Sequence, residues 1–170
     1  MRIEIDKNNR IIAWNSLDSG GMQVPFYKFE YSCIDYKYED GNIIYAPDTE
    51  RRLRESKRSK LSEINNTAQS FVERAIRADE VPQFEKDTWP EQRREALAWK
   101  VDPTASTPTI GGIAADRGVD VNELRERAYI KAVKFAEIVN KVAGQRQKYG
   151  DRIDAASSVE ELNFEVGYEV

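Results

Sequence analysis

Hydrophobic side chains recur at alternating steps of three and four residues along two long stretches of the chain, the spacing that places them on one face of an α-helix. The longer stretch predicts a helix over residues 120–156, and the other predicts a helix over residues 49–80. Asp120 and Glu123 have the spacing of a capping box at the start of the longer helix. The residues on this face of the longer helix are apolar except for the charged Arg146: Leu124, Ala128, Ala132, Phe135, Val139, Val142, Arg146, Tyr149 and Ile153. Those of the other helix are Leu61, Ile64, Ala68, Phe71, Ala75 and Ala78.

Two shorter helices are predicted between the long ones, over residues 89–100 and 108–117. Each has a proline at its first or second position, where the missing amide hydrogen costs nothing. Thr88 and Glu91 have the spacing of a second capping box. Gly118 is placed to end the 108–117 helix in the left-handed conformation.

The first 45 residues show instead the short alternations and turn residues of β-hairpins. Residues 1–16 alternate apolar and charged side chains around a turn that contains Asn8 and Asn9, and asparagine tolerates the positive φ of a tight turn. A second hairpin is predicted within residues 27–45, where Asp-Gly-Asn at 40–42 separates two apolar segments.

Residues 18–21, Asp-Ser-Gly-Gly, predict a flexible break after the first hairpin, and the proline within residues 22–26 favours a loop or an edge strand there. The whole pattern predicts an α+β protein. A small N-terminal antiparallel β unit over residues 1–48 is followed by a helical domain over residues 49–157, whose two long helices form a hairpin or a coiled coil. A C-terminal tail takes up residues 158–170.

Two arrangements of the long helices fit this pattern. An antiparallel hairpin within one chain is the simpler, and self-association of helices from two or three chains is the alternative. Gly144 and Gly150 weaken the last third of the longer helix by roughly 1 kcal/mol each relative to alanine, so this part needs outside support. The tail alternates apolar residues with acids, which predicts either a final strand or a segment that stays loose until a partner binds.

Composition excludes several kinds of catalytic chemistry. Histidine is absent and Cys33 is the only cysteine, so Ser-His-Asp triads, Cys-His pairs and zinc sites built from these residues are impossible. The spacing of no other residues predicts a metal site or a phosphate-binding loop, and acids such as Asp120 and Glu123 are better explained as helix caps. We therefore expect no catalytic residues, no metal and no cofactor, and we interpret Cys33 as a small buried hydrophobe.

The first turns of the 49–80 helix are strongly basic. Six basic side chains against one acid, Glu55, leave a charge of +5 over residues 51–60. Cations near a helix N-terminus oppose the helix dipole. One interpretation is a solvated face whose charge is met by acids such as Asp48 and Glu50, and the other is a docking surface for an acidic protein or nucleic acid.

Tyrosine is concentrated in the second hairpin, where Tyr36 and Tyr38 lie on one predicted strand. Aromatic residues pack across neighbouring strands, which is one explanation of this set. Tyrosine is also enriched at binding surfaces, so Tyr36 and Tyr38 are candidate contact residues for a protein or sugar partner. The sequence leaves both interpretations open.

The net charge of -4 disfavours general binding to nucleic acid. The residues around Gly118 have the spacing of a helix-turn-helix, but the would-be recognition helix begins with Asp120 and Glu123, which would face phosphates. No apolar run approaches the roughly 18 residues of a membrane span, and the first residues lack the apolar core of a signal peptide. These features predict a protein that is made and kept in the cytoplasm and has no membrane partner.

A family resemblance comes from residues 85–157, in which loop, cap and helix signatures follow one another in a fixed order. This region resembles the helical part of small bacteriophage tail proteins, including tail fibre assembly proteins. The residues that carry the resemblance are Trp99, Asp102-Pro103, Thr107-Pro108, Ile113-Ala114-Ala115, Arg117-Gly118, Glu123-Leu124, Gly144-Gln145-Arg146-Gln147 and Asp151-Arg152-Ile153-Asp154-Ala155-Ala156.

The resemblance implies a non-enzymatic role in phage tail assembly, as a chaperone that engages the fibre or as a minor component that stays in the particle. It implies the host cytoplasm during assembly, and a place in the virion tail for a permanent component. The alternatives are a virion subunit that self-assembles through its helices and a helix-turn-helix regulator. Because the 49–80 helix is not expected to reach the end of the longer helix, we predict that Arg146, Tyr149 and Ile153 contact the partner.

Overall fold

The computed structural model describes residues 1–15 and 20–170 and divides the chain into two compact units, Met1–Glu55 and Ser56–Val170. Helix α1, Thr49–Ala75, begins in the first unit and continues in the second. The predicted α+β class is confirmed, since antiparallel strands form the N-terminal part and a mostly helical region follows.

The strands of the first unit form two antiparallel sheets. In the first sheet β1, Arg2–Ile5, lies between β2, Ile11–Asn15, and the short β3, Met22–Gln23. The second sheet pairs β4, Tyr36–Glu39, with β5, Asn42–Tyr45. Both predicted hairpins are confirmed, and β3 is the edge strand that the proline within 22–26 allowed.

The hairpin turns have the backbone that their residues predict. Asn9 has a φ of 59° in the first turn, and Asp40 and Gly41 have φ values of 48° and 84° in the second. Asn, Asp and Gly reach this left-handed region at little cost, so local sequence sets both turns.

In the predicted break, residues 18 and 19 lie outside the described residues. Gly21 shows why this segment needs glycine, because its φ is 75° and a Cβ there would lie 2.6 Å from the main-chain oxygen of Ile3. A side chain at this position would therefore push β3 away from β1.

A small apolar core holds the first unit together. Its buried members are Ile3, Ile11, Val24 and Tyr36, and the half-buried Cys33 packs against them as a small hydrophobe. The packing interpretation of the tyrosines is thus confirmed for Tyr36.

The basic start of α1 is neutralised mainly by an acid that lies earlier in the chain. Asp35 is 3% exposed, and its Oδ1 accepts hydrogen bonds from Arg52 Nε at 3.0 Å and Arg51 Nη2 at 3.3 Å. This carboxylate raises the pKa of the Arg52 guanidinium. Asp48 instead caps α1 by accepting from the Arg51 main-chain N–H at 2.8 Å, and this hydrogen bond lowers the pKa of Asp48. The prediction that Asp48 and Glu50 would meet the charge therefore missed the principal partner.

In the second unit the longest helix, α5, spans Val121–Ala155. Helix α1 packs antiparallel to it, because Ala68 contacts Ile138 while Lys57, nearer the start of α1, donates to the main-chain oxygen of Asp154 at 3.1 Å. This is the intrachain hairpin that the two matching helical patterns favoured.

Helices α3, Trp89–Val101, and α4, Pro108–Arg117, pack against α5 and against each other. The ammonium of Lys100 lies 2.9 Å from the carboxylate of Glu126 and 4.9 Å from the ring centre of Tyr129, which joins the end of α3 to the first half of α5. Both short helices lie where the sequence predicts them.

Some helix boundaries differ from the prediction. Helix α1 ends at Ala75 rather than at residue 80, because Arg77 adopts a left-handed backbone with a φ of 53°. A 3-10 turn follows at Ala78–Glu80, and the predicted connection before α3 contains the short helix α2, Gln83–Lys86.

The predicted caps have mixed outcomes. Gly118 ends α4 with a φ of 65°, as predicted. The capping box at the start of α5 is half confirmed: Asp120 accepts from the Glu123 N–H at 2.9 Å, but the Glu123 carboxylate pairs with Arg127. The capping box of Thr88 and Glu91 is wrong. Thr88 has a helical backbone and makes no capping hydrogen bond, whereas an N-cap needs an extended one, and Glu91 pairs with Arg94 instead.

The start of α4 is capped from another helix. Glu95 of α3 is fully buried, and its two carboxylate oxygens accept from the N–H groups of Thr109 and Ile110, each at 2.9 Å. Pro108 has no N–H to satisfy at the first helical position. The positive end of the α4 dipole offsets the cost of burying the charge.

Gly144 and Gly150 lie in the continuous α5, and a Cβ at either position would meet no atom within 4 Å. We expect Gly144→Ala and Gly150→Ala each to raise the free energy of unfolding by up to about 1 kcal/mol, because alanine loses less backbone entropy in a helix. Urea unfolding followed by circular dichroism measures this. Gly118→Ala, which also meets no steric contact but requires a positive φ, should lower stability, and a gain there would contradict the argument.

Of the helices in the described part of the chain, none combines the length and apolar character that crossing a bilayer requires.

Candidate binding site: a groove that holds the C-terminal tail

The tail, residues 158–170, is neither loose nor paired in a sheet. After a 3-10 turn at Glu160–Leu162 it runs along α1 and α5 without regular secondary structure, and covered and exposed side chains alternate along it. Both predicted alternatives are wrong because the apolar residues of the tail find a surface in the same chain. We call this surface the tail groove. Its lining residues are Lys60, Ile64 and Phe71 of α1 and Gln145, Tyr149 and Arg152 of α5.

Two side chains of α5 bind the main chain of the tail. Gln145 donates from Nε2 to the oxygen of Glu169 at 2.7 Å and accepts at Oε1 from the N–H of the same residue at 3.1 Å. The Tyr149 hydroxyl donates to the oxygen of Gly167 at 3.0 Å and accepts from its N–H at 3.2 Å. Each side chain therefore satisfies both main-chain groups of one tail residue, as a neighbouring strand would do.

Helix α1 contributes two further hydrogen bonds. The Lys60 ammonium donates to the main-chain oxygen of Phe164, and the Tyr168 hydroxyl donates to the main-chain oxygen of Ile64 at 3.0 Å. The ring of Tyr168 lies between two others, 6.2 Å from Phe71 and 5.8 Å from Tyr149 between ring centres. Burial raises the pKa of Tyr168 above its ordinary value, and a tyrosine hydroxyl is in any case protonated, and so able to donate, at neutral pH.

The tail turns every second side chain toward the helices. Leu162 is 5% exposed, Phe164, Val166 and Tyr168 are half-buried, and the residues between them are exposed. Phe164 is held most closely, because its ring stacks on Tyr149 at 5.8 Å with an interplanar angle of 2°. The Arg152 guanidinium lies 3.9 Å from the centre of the same ring, within the range of a cation–π interaction.

Glu161 holds the start of the tail against the residues that follow α5. Its carboxylate accepts from the Ser157 N–H at 2.7 Å, and this hydrogen bond is the largest of the effects that lower the pKa of Glu161. The positive charge of Lys57 lowers that pKa further. The tail therefore begins as an anion beside the basic side of α1.

The predicted contact residues of α5 all lie at this end of the helix, but they are not uncovered. Ile153 is 4% exposed, Tyr149 is covered by the tail, and Arg146 donates from Nε to Asn65 Oδ1 at 2.9 Å. Arg146 and Ile153 line a shallow depression of about 280 Å³ together with Leu61. The expected exposure was wrong because both α1 and the tail reach this part of α5.

The other two predicted contact residues lie in the first unit. Tyr36 is 2% exposed, and its hydroxyl accepts from the Glu30 N–H at 3.2 Å. Its ring makes edge contacts with Tyr27, Phe29 and Tyr45. Tyr38 is half-buried and packs against the same core. A partner therefore cannot reach the ring of Tyr36 without opening the unit.

Sequence reasoning missed most of the groove. Gln145 belongs to a run that carries the tail-protein resemblance, but nothing marked it as a main-chain ligand. Lys60 lies in the basic run of residues 51–60, and nothing in that run indicates a contact with the tail. The alternation of apolar residues and acids after residue 158 was the one signal that pointed to an extended, one-sided segment. Within residues 1–15 and 20–170, no group of three or more Cys, Asp or Glu side chains is arranged to hold a metal ion.

A second surface lies on α5, where apolar side chains face solvent. Ile130 is 57% exposed, and together with Val133 and the half-buried Tyr129 it borders an open depression that Lys134 and Glu137 complete. Aliphatic residues between charged ones form a surface on which a protein partner can pack.

Comparisons with protein-family models, with curated proteins and with solved structures found no match to this chain.

Proposed function

We propose that this chain is a non-enzymatic tail protein of a bacteriophage or prophage that binds another tail component, a fibre protein, during assembly. The observation that carries the proposal is the ordered resemblance of residues 85–157 to small phage tail proteins. Its elements coincide with helix boundaries: Asp102 follows α3, Thr107-Pro108 begins α4 and Arg117-Gly118 ends it. The exposed apolar residues of α5 around Ile130 lie inside the same region and offer a contact surface.

The packing of the helices favours this function over a virion subunit that self-assembles through the same helical faces. The predicted faces of α1 and α5 are used within the chain, where Ala68, Ile138 and Val142 form a shared buried cluster. A helix-turn-helix role finds no support in the electrostatics, because Asp120 and Glu123 stand in the first turn of α5.

Co-expression with the fibre protein of the neighbouring gene tests the proposal. We expect a complex that survives purification, or a clear rise in soluble fibre. A fibre protein of an unrelated phage is the matched control. Failure to obtain either a complex or improved solubility with the cognate fibre would count against the function. Mass spectrometry of purified particles then separates a chaperone, which leaves, from a component that stays.

A further inference from the structure

The tail groove has the properties of a peptide-binding surface that already contains a peptide. We infer that a partner protein enters this groove with an extended, acidic segment whose apolar side chains recur at every second residue, and that the tail is a built-in competitor for that segment. The inference goes beyond the proposed function, because it rests on the groove alone and holds for a partner of any origin.

The first argument is that the groove binds main-chain atoms. Gln145 and Tyr149 stand one helical turn apart, about 6 Å along α5. Two residues of an extended chain span about 6.6 Å, so side chains at this spacing meet Glu169 and Gly167 in register. Main-chain groups are the same in every protein segment. The hydrogen bonds therefore supply affinity for an extended chain, while the side-chain contacts supply selectivity.

The second argument is that the inward positions of the tail define the segment that fits. The four inward positions are taken in order by Leu162, Phe164, Val166 and Tyr168. The fitting segment therefore has an aliphatic residue first, an aromatic one second, an aliphatic one third and a tyrosine fourth. The ring at the second position stacks on Tyr149, and the cations of Arg152 and Lys60 lie 3.9 Å and 4.6 Å from its centre, which favours an aromatic residue there. A segment without an aromatic residue there loses this interaction.

The third argument is charge. Basic side chains lie along the groove, and the outward positions of the tail are mainly acidic. The basic residues are Lys57, Lys60, Arg146 and Arg152, and the acids are Glu160, Glu161, Glu165 and Glu169. Lys60 also pairs with Glu63 of its own helix at 3.0 Å, and the charge of Lys57 acts on Glu161. A competing segment with the same alternation of acids keeps this complementarity, and a basic one does not.

The fourth argument is that the tail can be exchanged. The hydrogen bonds of Gln145 and Tyr149 with the tail lie at exposed positions, so water replaces them when the tail leaves. A tethered segment competes at an effective concentration in the millimolar range. Weakening the tail should therefore raise the apparent affinity of the groove for a segment added from outside.

A labelled peptide of residues 158–170, followed by fluorescence anisotropy, is the probe. The protein is the full chain in which Phe164→Ala and Tyr168→Ala weaken its own tail. We expect saturable binding that is about tenfold tighter or more than to the unchanged chain. Adding Gln145→Ala to this double variant should weaken the binding of the peptide again. A peptide of the same composition with the alternation scrambled is the matched control, and equal binding of that peptide would refute the proposed chemistry.

A second measurement covers the case in which the double variant does not fold. The unchanged chain, labelled with ¹⁵N, is titrated with unlabelled peptide, and displacement moves the amide signals of Gly167 and Glu169 to those of a free tail. The absence of both displacement and binding overturns the inference. Concentration-dependent dimers formed by tail exchange would also overturn it, because the occupant would then be a second copy rather than a separate partner.

Discussion

Tyr36→Ala is expected to lower the free energy of unfolding of the first unit by about 3–5 kcal/mol, the usual loss when a buried aromatic residue becomes alanine. The ring is the largest buried side chain of that core, and three neighbouring rings would face the cavity. A unit of this size buries only about 60% of the surface of its unfolded chain. A loss of this magnitude is therefore expected to unfold it.

Amide signals in a ¹H–¹⁵N spectrum measure this result, because those of residues 1–15 and 20–48 should collapse to unfolded positions. Tyr31→Ala is the matched control. It removes another tyrosine ring that contacts Tyr45, but one that is half exposed, and the dispersed signals should persist. Tyr36→Phe deletes only the hydroxyl that accepts from the Glu30 N–H, so it should lower the free energy of unfolding by about 1 kcal/mol. A folded spectrum for Tyr36→Ala would contradict its place in the core.

Glu95→Ala is expected to lower the free energy of unfolding of the second unit by about 3 kcal/mol. Hydrogen bonds to a charged group contribute about 1.5–3 kcal/mol, and the substitution leaves the buried N–H groups of Thr109 and Ile110 without their acceptor. Glu95→Gln should have a stability between those of the unchanged chain and Glu95→Ala. Its amide keeps one acceptor oxygen, but the NH₂ group places a donor against a main-chain N–H donor.

Urea unfolding followed by circular dichroism at a helix-sensitive wavelength checks this prediction. Glu91→Ala is the matched control, since Glu91 lies one turn earlier on the same helix, but its side chain is 45% exposed and pairs with Arg94 at the surface. Surface ion pairs contribute little, so that variant should stay close to the unchanged chain. Equal effects of the two substitutions would show that the cap of α4 does not depend on Glu95.

The features that the sequence predicted well are those that nearby residues determine. Asn9 and Gly41 set their turns through their own backbone preferences, and Gly118 and Asp120 mark a helix end and a helix start within a few residues. Helical periodicity found α5 to within one residue at each end, because a long run of matching steps averages over local exceptions.

The features that it missed depend on residues far apart in the chain. The tail meets α1 through Lys60 and Phe164, which are 104 positions apart, and no local pattern encodes that contact. Asp35 and Glu95 are charged residues that became buried because basic or N–H groups from elsewhere surround them. Thr88 has the right spacing for a cap, but it follows closely after α2 and keeps a helical backbone, which an N-cap residue does not have. That Arg146 and Tyr149 contact a partner stays a prediction. The partner would meet them in or beside the tail groove rather than on an uncovered face of α5.

The alternation of the tail also determines which changes in its sequence the fold can absorb. Because side chains of an extended segment point alternately to opposite sides, a substitution at the exposed Asn163 or Glu165 leaves the groove filled. Insertion or deletion of a single residue between Leu162 and Tyr168 would instead turn one group of apolar side chains toward water and bring acids against the helices. Substitutions are thus tolerated at the outward positions of the segment, whereas a change in the number of residues between Leu162 and Tyr168 disrupts its contacts with the helices.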